Sequence, residues 1–193
     1  MSFSEPVERA LFACLEAHQG QFRKGSRTTP YAVHPLHVAL LLARWGASEA
    51  EIVAGLLHDV VEDNAEWTHE RVRSEFGPSV AGIVRELSED KASSWEERKR
   101  AAIEHAPRLS AEAAAVKAAD QVHNWRSLAL ELGGAADADA LWAKFRGGRE
   151  RTLAKAVELA QALSPRLAPG AARELQDALS GLLEAAAKRA PRT

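Results

Sequence analysis

The run Ala54-Gly55-Leu56-Leu57-His58-Asp59-Val60-Val61-Glu62-Asp63 sets four ionisable groups inside an otherwise apolar segment. On a helix, residues three and four apart share a face, so Glu62 stands above His58 and Asp59, and Asp63 above Asp59. One surface then carries an imidazole and three carboxylates. Carboxylates crowded into a buried, low-dielectric setting repel one another and desolvate badly unless a cation or hydrogen-bond donors compensate. A divalent metal ion is the economical answer.

His58 and Asp59 cannot close a metal shell alone, because adjacent side chains diverge by roughly 100° on a helix. Two other segments offer the missing ligands. His34, in Tyr31-Ala32-Val33-His34-Pro35-Leu36-His37-Val38-Ala39, opens an apolar helix with Pro35 well placed for its first turn. Asp120, in Val116-Lys117-Ala118-Ala119-Asp120-Gln121-Val122-His123-Asn124, interrupts another helix on its apolar side. Two imidazoles and two carboxylates make a mixed nitrogen and oxygen site that suits Mn²⁺, Fe²⁺ or Zn²⁺, and ligand type alone does not choose among them. Glu62 and Asp63, one turn beyond, are placed to take a proton from a water and to help a leaving oxygen depart. Spacing does not divide those two roles. Each residue also has a plainer reading: His34 as a helix cap, Asp120 as the partner of Lys117 or Arg126, Glu62 and Asp63 as a solvated helix end. It is their joint order along the chain that favours a metal centre.

That order, His, then His-Asp, then Asp, resembles the HD-domain phosphohydrolases. The similarity extends to Gln21-Phe22-Arg23-Lys24-Gly25-Ser26 before Pro30-Tyr31-Ala32-Val33-His34-Pro35, and to Ser88-Glu89-Asp90-Lys91 followed by Glu97-Arg98-Lys99-Arg100 and Glu104-His105-Ala106-Pro107. These motifs look like the hydrolase domain of the RelA/SpoT homologues, and in particular the single-domain small alarmone hydrolases of the metazoan SpoT-homologue type. The resemblance covers roughly residues 18 to 163. It implies an activity: removal of the 3′-pyrophosphate of ppGpp or pppGpp, giving GDP or GTP and pyrophosphate. It implies one Mn²⁺ ion held by His34, His58, Asp59 and Asp120, with Glu62 and Asp63 catalytic.

For the substrate, Arg23, Lys24 and Ser26 in the loop before His34 fall near the metal. Arg23 and Lys24 could grip a pyrophosphate, and the planar Arg23 guanidinium could stack on a base. In the resembling enzymes the arginine at this place packs on guanine. Asn124 and Ser127, four and seven residues after Asp120, share its face and suit a ribose or base. Lys91, Arg98 and Lys99 are candidates for the far phosphates. His37 and His123 fall on the ligand faces but outside the family's ligand set, and are read as supporting or structural. The chain departs from the family pattern at Arg27-Thr28-Thr29, Ala119, Gln121 and Ser88-Glu89, and the loop and Gln121 changes leave substrate preference open: adenosine alarmones of the ppApp type, the 2′-phosphate of NADPH, or alarmone binding without turnover are the alternatives.

Helical periodicity runs through nearly the whole chain. Helices are expected at about 5–18, 34–45, 49–63, 68–75, 77–87, 95–106, 110–132, 137–163 and 171–189, with ends uncertain by ~2–4 residues. The periodicity predicts an all-α fold, and the resemblance implies a single HD-domain helical bundle of about eight to ten helices around a central metal site. Residues 1–165 form the hydrolase domain, and Pro165, Pro169 and Gly170 set off an alanine-rich helix within 166–193. Its stripe of Leu175, Leu179, Leu182 and Leu183 either packs back on the domain or pairs with a second copy in a homodimer; packing back is the expectation. A chain of 193 residues suffices for one domain with a full core.

A net charge of −2 gives no broad electrostatic footprint for nucleic acid, so any polyanion it binds should be small and met locally, and the resemblance implies that it is a nucleotide. The single cysteine, Cys14, has no intrachain partner, which suits the reducing cytoplasm. No stretch approaches the ~18 apolar residues of a membrane span, and the first residues lack the pattern of an export signal, so no membrane role is expected.

Overall fold

The computed structural model describes residues 4–24, 26, 28–89 and 93–188. Ten α-helices are found among them: α1 Glu5–Ala17, α2 Val33–Arg44, α3 Glu49–Leu57, α4 Val60–Asp63, α5 His69–Leu87, α6 Trp95–His105, α7 Ala111–Gly134, α8 Ala138–Trp142, α9 Gly148–Leu163 and α10 Pro169–Lys188. The described residues contain no strand, only an isolated antiparallel bridge between Phe22 and Pro30 that pinches the loop before α2. The chain is all-α, and no described helix is long and apolar enough to cross a membrane.

Helix starts follow local chemistry. Ser48 and Ser94 form reciprocal capping boxes with Glu51 and Glu97. Ser4, Thr68 and Ser110 each accept the backbone N–H three residues on. Such caps satisfy amides that would otherwise lack a partner at the first turn. Gly77, at φ 85°, followed by Pro78, kinks the α5 stretch where two helices are expected from the sequence.

Helix α3 is the hub. Ile52 through Leu57 are all buried, and α3 packs against α1, α2, α5 and α7. A Cβ on Gly55 would lie 2.6 Å from Leu42 Cδ1 and 3.3 Å from Val38 Cγ1, so a larger residue here would force the buried Leu42 side chain to move. Cys14 is buried in α1, where burial pushes its thiol up to about 12. Helix α10 lies along α7 and buries Leu175, Leu179 and Leu182, with Leu183 left at the surface.

Two elements differ from the sequence expectation. The helix expected over 49–63 breaks at His58-Asp59. Asp59 sits at φ −100°, ψ −10°, and α4 begins only after it. His58 Nδ1 donates to the Gly55 carbonyl at 2.8 Å, tying the ring back across the last turn of α3. The helix expected over 137–163 is two helices, because the chain turns through Ala143–Gly147 and Gly148 takes φ 62°.

Candidate metal centre

Three segments converge on one polar cavity of about 190 Å³: the start of α2 with His34, the α3–α4 turn with His58 and Asp59, and the middle of α7 with Asp120. Ligand atoms of His34, His58 and Asp120 all lie within 4.8 Å of one another. Asp59 Oδ2 is 3.2 Å from His58 Nε2 and 3.7 Å from His34 Nε2, and Asp120 Oδ1 is 3.3 Å from His34 Nε2. All four candidate ligands thus come together, although they span 86 residues of sequence between His34 and Asp120 (120 − 34).

The shell around them aims each group. With His58 Nδ1–H committed to Gly55, its Nε2 faces the cavity and is buried without a hydrogen-bond partner. Tyr31 donates its hydroxyl to Asp59 Oδ2 at 2.5 Å. Asn124 and Gln121 donate to the two oxygens of Asp120 at 2.5 and 2.9 Å, and Lys117 Nζ lies 3.2 Å from Oδ2. Burial pushes the Asp120 carboxyl up, but Lys117 and His34 outweigh it and hold the group well below the usual range. Burial likewise opposes the Asp59 charge, and His58, His34 and the Tyr31 bond override it. Burial holds His34 below the ordinary imidazole value, so its ring is neutral at pH 7. The neutral His34 ring and a His58 ring with an orphaned buried nitrogen, facing two ionised carboxylates, fit a divalent cation.

The break at His58-Asp59 separates Glu62 from Asp63. Glu62 is half-buried, lines the cavity and accepts the Glu89 backbone N–H at 2.9 Å. Burial raises its carboxyl pKa, with the Asp59 charge acting in the same sense. Asp63 is exposed and is not among the residues lining the cavity; its backbone carbonyl accepts from Gln21.

A larger, mostly apolar pocket of about 340 Å³ adjoins the cavity, sharing Tyr31, Glu89, Lys99, Lys117, Gln121 and Asn124 with it. Arg23 donates to Asn124 Oδ1 at 2.8 Å and lies over the Tyr31 ring, 5.6 Å from its centroid. The Lys24 ammonium lies 4.4 Å from the Phe145 ring centroid. Ser127 also lines this pocket. Ser26 does not: its hydroxyl accepts the backbone N–H groups of Thr28 and Thr29 and so shapes the loop. Arg98 faces a third cavity and pairs with Glu89, as does Lys99. Lys91 lies outside the described residues. The sequence reading missed Trp95, Trp125 and Phe145 in the apolar wall; each looks like an ordinary core aromatic until α6, α7 and the 143–147 turn are brought together.

Comparison with known proteins matches these features. The HD domain family model matches residues 10–164. The chain is 44% identical over 124 residues to the guanosine-3′,5′-bis(diphosphate) 3′-pyrophosphohydrolase MESH1 of Xenopus tropicalis, covering 63% of this chain and 68% of that protein. Its counterpart from Homo sapiens is 40% identical over the same shares. A solved structure of a metazoan orthologue of SpoT that hydrolyses ppGpp superposes with a TM-score of 0.80 at 30% identity, covering 93% of this chain and 97% of that one. On the matched motifs, the shared fold and this coverage, the chain belongs to the HD-domain family and to its small alarmone hydrolase branch.

Proposed function

We propose that this chain hydrolyses the 3′-pyrophosphate of ppGpp and pppGpp, releasing pyrophosphate and GDP or GTP, with one Mn²⁺ ion held by His34, His58, Asp59 and Asp120. The observation that carries the reading is the continuity of the two cavities. A polar cavity with four candidate ligands opens, across Lys99, Lys117 and Asn124, into an apolar pocket of about 340 Å³ rimmed by Arg23 and Lys24. A pyrophosphate would lie in the first and a nucleoside in the second. The MESH1 relatives carry the corresponding activity in their names.

When bound, the ion supplies Lewis acidity: it offsets charge on the phosphorus under attack and lowers the pKa of a water. In the reaction, the water oxygen bonds to the phosphorus attached to the ribose 3′-oxygen, and the bond from that phosphorus to the 3′-oxygen breaks. Glu62, half-buried at the cavity wall, takes the water proton; positioned transfer of this kind is worth ~10²–10⁴-fold. The departing 3′-oxygen takes up a proton. Glu62 is placed to return the proton it has taken, while Asp63, exposed and outside the cavity lining, is only a second carboxylate near the cavity mouth. Tyr31 and the Gly55 carbonyl orient Asp59 and His58. Arg23 and Lys24 meet base or phosphate, Asn124 and Ser127 the ribose or base, and Lys99 the phosphates.

The test is to incubate the purified protein with ppGpp, ppApp and NADPH separately, with and without Mn²⁺, Fe²⁺ or Zn²⁺, and follow pyrophosphate and phosphate release. Metal-dependent pyrophosphate release from ppGpp, strongest with Mn²⁺, is the expected result. Preference for ppApp or NADPH would overturn the substrate, and silence on all three would overturn the enzyme. Asp59→Ala should lose metal binding and turnover together; retained turnover would sink the centre as drawn.

A further inference from the structure

Glu89 stands where three cavities meet: the polar cavity, the apolar pocket and a third of about 260 Å³. Its backbone N–H is fixed on Glu62. Both of its carboxylate oxygens are also engaged, Oε1 with Lys99 Nζ at 2.9 Å and Oε2 with Arg98 Nε at 3.0 Å. A carboxylate bridging an ammonium and a guanidinium presents the same edge as a phosphate group would to the same two donors. Lys117, the other ammonium lining the polar cavity, lies 3.2 Å from Asp120. Among the described residues, both ammonium groups that line that cavity are therefore already matched by carboxylates.

The three members of the bridge are not equally free to move. Glu89 and Arg98 side chains are 18% and 22% exposed, whereas Lys99 is 37% exposed and lines both the polar cavity and the apolar pocket. If Lys99 swings to a ligand, Glu89 keeps Arg98, so no buried charge is left unpaired and the exchange avoids the usual cost of breaking such a pair. Although burial opposes its charge, Lys99 and Lys117 hold the Glu89 carboxyl below the ordinary value.

Resting on the pyrophosphohydrolase reading above, we propose that Glu89 is a built-in competitor for the phosphate-binding cations, a positioning residue that parks Lys99 at the cavity junction, yields it to the substrate's 3′-pyrophosphate and reclaims it as pyrophosphate leaves. Substrate and product present the same anionic group, so cations that grip one retain the other. Uniform grip of this kind lowers KM without speeding chemistry, and product release limits turnover in many enzymes. A tethered carboxylate, always at hand, weakens that retention.

Glu89→Gln tests this while keeping side-chain size and the backbone N–H to Glu62. Inhibition of ppGpp hydrolysis by inorganic pyrophosphate should tighten roughly three- to five-fold, the scale of one partly screened ion pair, with KM and kcat both falling. Lys99→Met should weaken pyrophosphate inhibition, and the double variant should match Lys99→Met alone, since the gain requires a lysine to release. Unchanged or weaker inhibition in a Glu89→Gln protein that keeps wild-type Mn²⁺ affinity and melting temperature would overturn the proposal, as would a tightening that survives in the double variant. Calorimetric binding of pyrophosphate to the Mn²⁺-loaded wild-type and Glu89→Gln proteins reads the same competition without turnover. A wild-type protein inert toward ppGpp would thus count against the activity, and equal pyrophosphate affinities against Glu89.

Discussion

The Nδ1 atoms of His34 and His123 face each other at 2.8 Å, so one ring donates and the other accepts. His34 Nε2 points at Asp120 and Asp59; in the metal centre proposed above this nitrogen is the ligand atom and must be bare, which puts the His34 proton on Nδ1. His123 must accept it, which places its own proton on Nε2, 3.4 Å from Ser127 Oγ. Burial, with His34 and Arg23 nearby, pushes the His123 pKa down to about 3, so the acceptor is neutral. A metal-ligating histidine oriented by a second imidazole is a variant of the usual arrangement with a carboxylate or carbonyl. His123→Phe keeps a ring but removes the acceptor. Metal titration of this variant should show affinity about 10–100-fold weaker, with most of the turnover restored by excess metal. Unchanged affinity would remove His123 from the support of His34.

Glu62 should trade stability for chemistry. Its folded-state pKa is raised, first by burial, so the ionised form is disfavoured in the fold. A carboxyl shifted upward costs stability above its unfolded value and costs nothing below it. Metal-free Glu62→Gln should therefore melt no lower than wild type at pH 7, with the two proteins converging in acid below the ordinary glutamate value of 4.5. Turnover at pH 7 should fall ~10²–10⁴-fold. A variant that loses stability at neutral pH but keeps turnover would contradict both halves.

Much of the centre was legible because its residues break a pattern. His58, Asp59 and Asp120 are ionisable groups in apolar helical stretches, and such groups need a compensating partner wherever the chain buries them. Asp63 reads the same way on a continuous helix. Only the structure shows the turn at His58-Asp59, held by a side-chain bond to Gly55, that leaves Asp63 exposed and Glu62 on the cavity. Trp95 and Phe145 carry no local signal, and Glu89 none beyond its place in a motif. An aromatic at a helix start, an aromatic in a short connection and an acidic residue after a helix are ordinary; it is the fold that brings Trp95 and Phe145 into one pocket wall and Glu89 onto Glu62, Arg98 and Lys99. The turn at 143–147 was hidden for a related reason: Gly147-Gly148 sits within a strongly helical composition, and glycine only weakens a helix by about 1 kcal/mol.

That turn sets the shape of the apolar pocket. A Cβ on Gly147 would lie 2.5 Å from Trp95 Cη2 and 3.1 Å from Thr152 Oγ1, and both residues line the pocket. Gly147→Ala must shift the Trp95 ring, since this separation is well inside van der Waals contact. The expected result is a raised KM for the nucleotide with metal affinity unchanged, because the proposed ligands sit on α2, the α3–α4 turn and α7. Steady-state kinetics with a parallel metal titration separates the two. An unchanged KM would mean that the nucleoside does not lean on this wall.

Helix α10 is fastened by a charged clamp as well as by its leucines. Glu174 Oε2 accepts from Arg44 and, at 2.8 Å, from Trp45 Nε1, while Oε1 lies 3.0 Å from Arg126 Nη1. Burial alone would raise the Glu174 pKa, but the Arg44 and Trp45 hydrogen bonds and the arginine charges hold it below 4.5. A carboxylate with a depressed folded-state pKa adds stability that is present above its unfolded value and is lost as pH falls through the folded one. The Arg44 and Arg126 side chains are 59% and 46% exposed, so solvent screening limits the gain to about 1 kcal/mol or less. Glu174→Gln should therefore melt a few degrees below wild type at pH 7, and the gap should close as pH is lowered beneath 4.5. A gap that persists unchanged into acid would assign the loss to packing around Trp45 rather than to the ion cluster. Because α10 lies along α7, the helix that carries Asp120, the same variant should leave metal affinity intact only if α7 holds its place without the clamp, and a metal titration beside the melting curves reads that coupling directly.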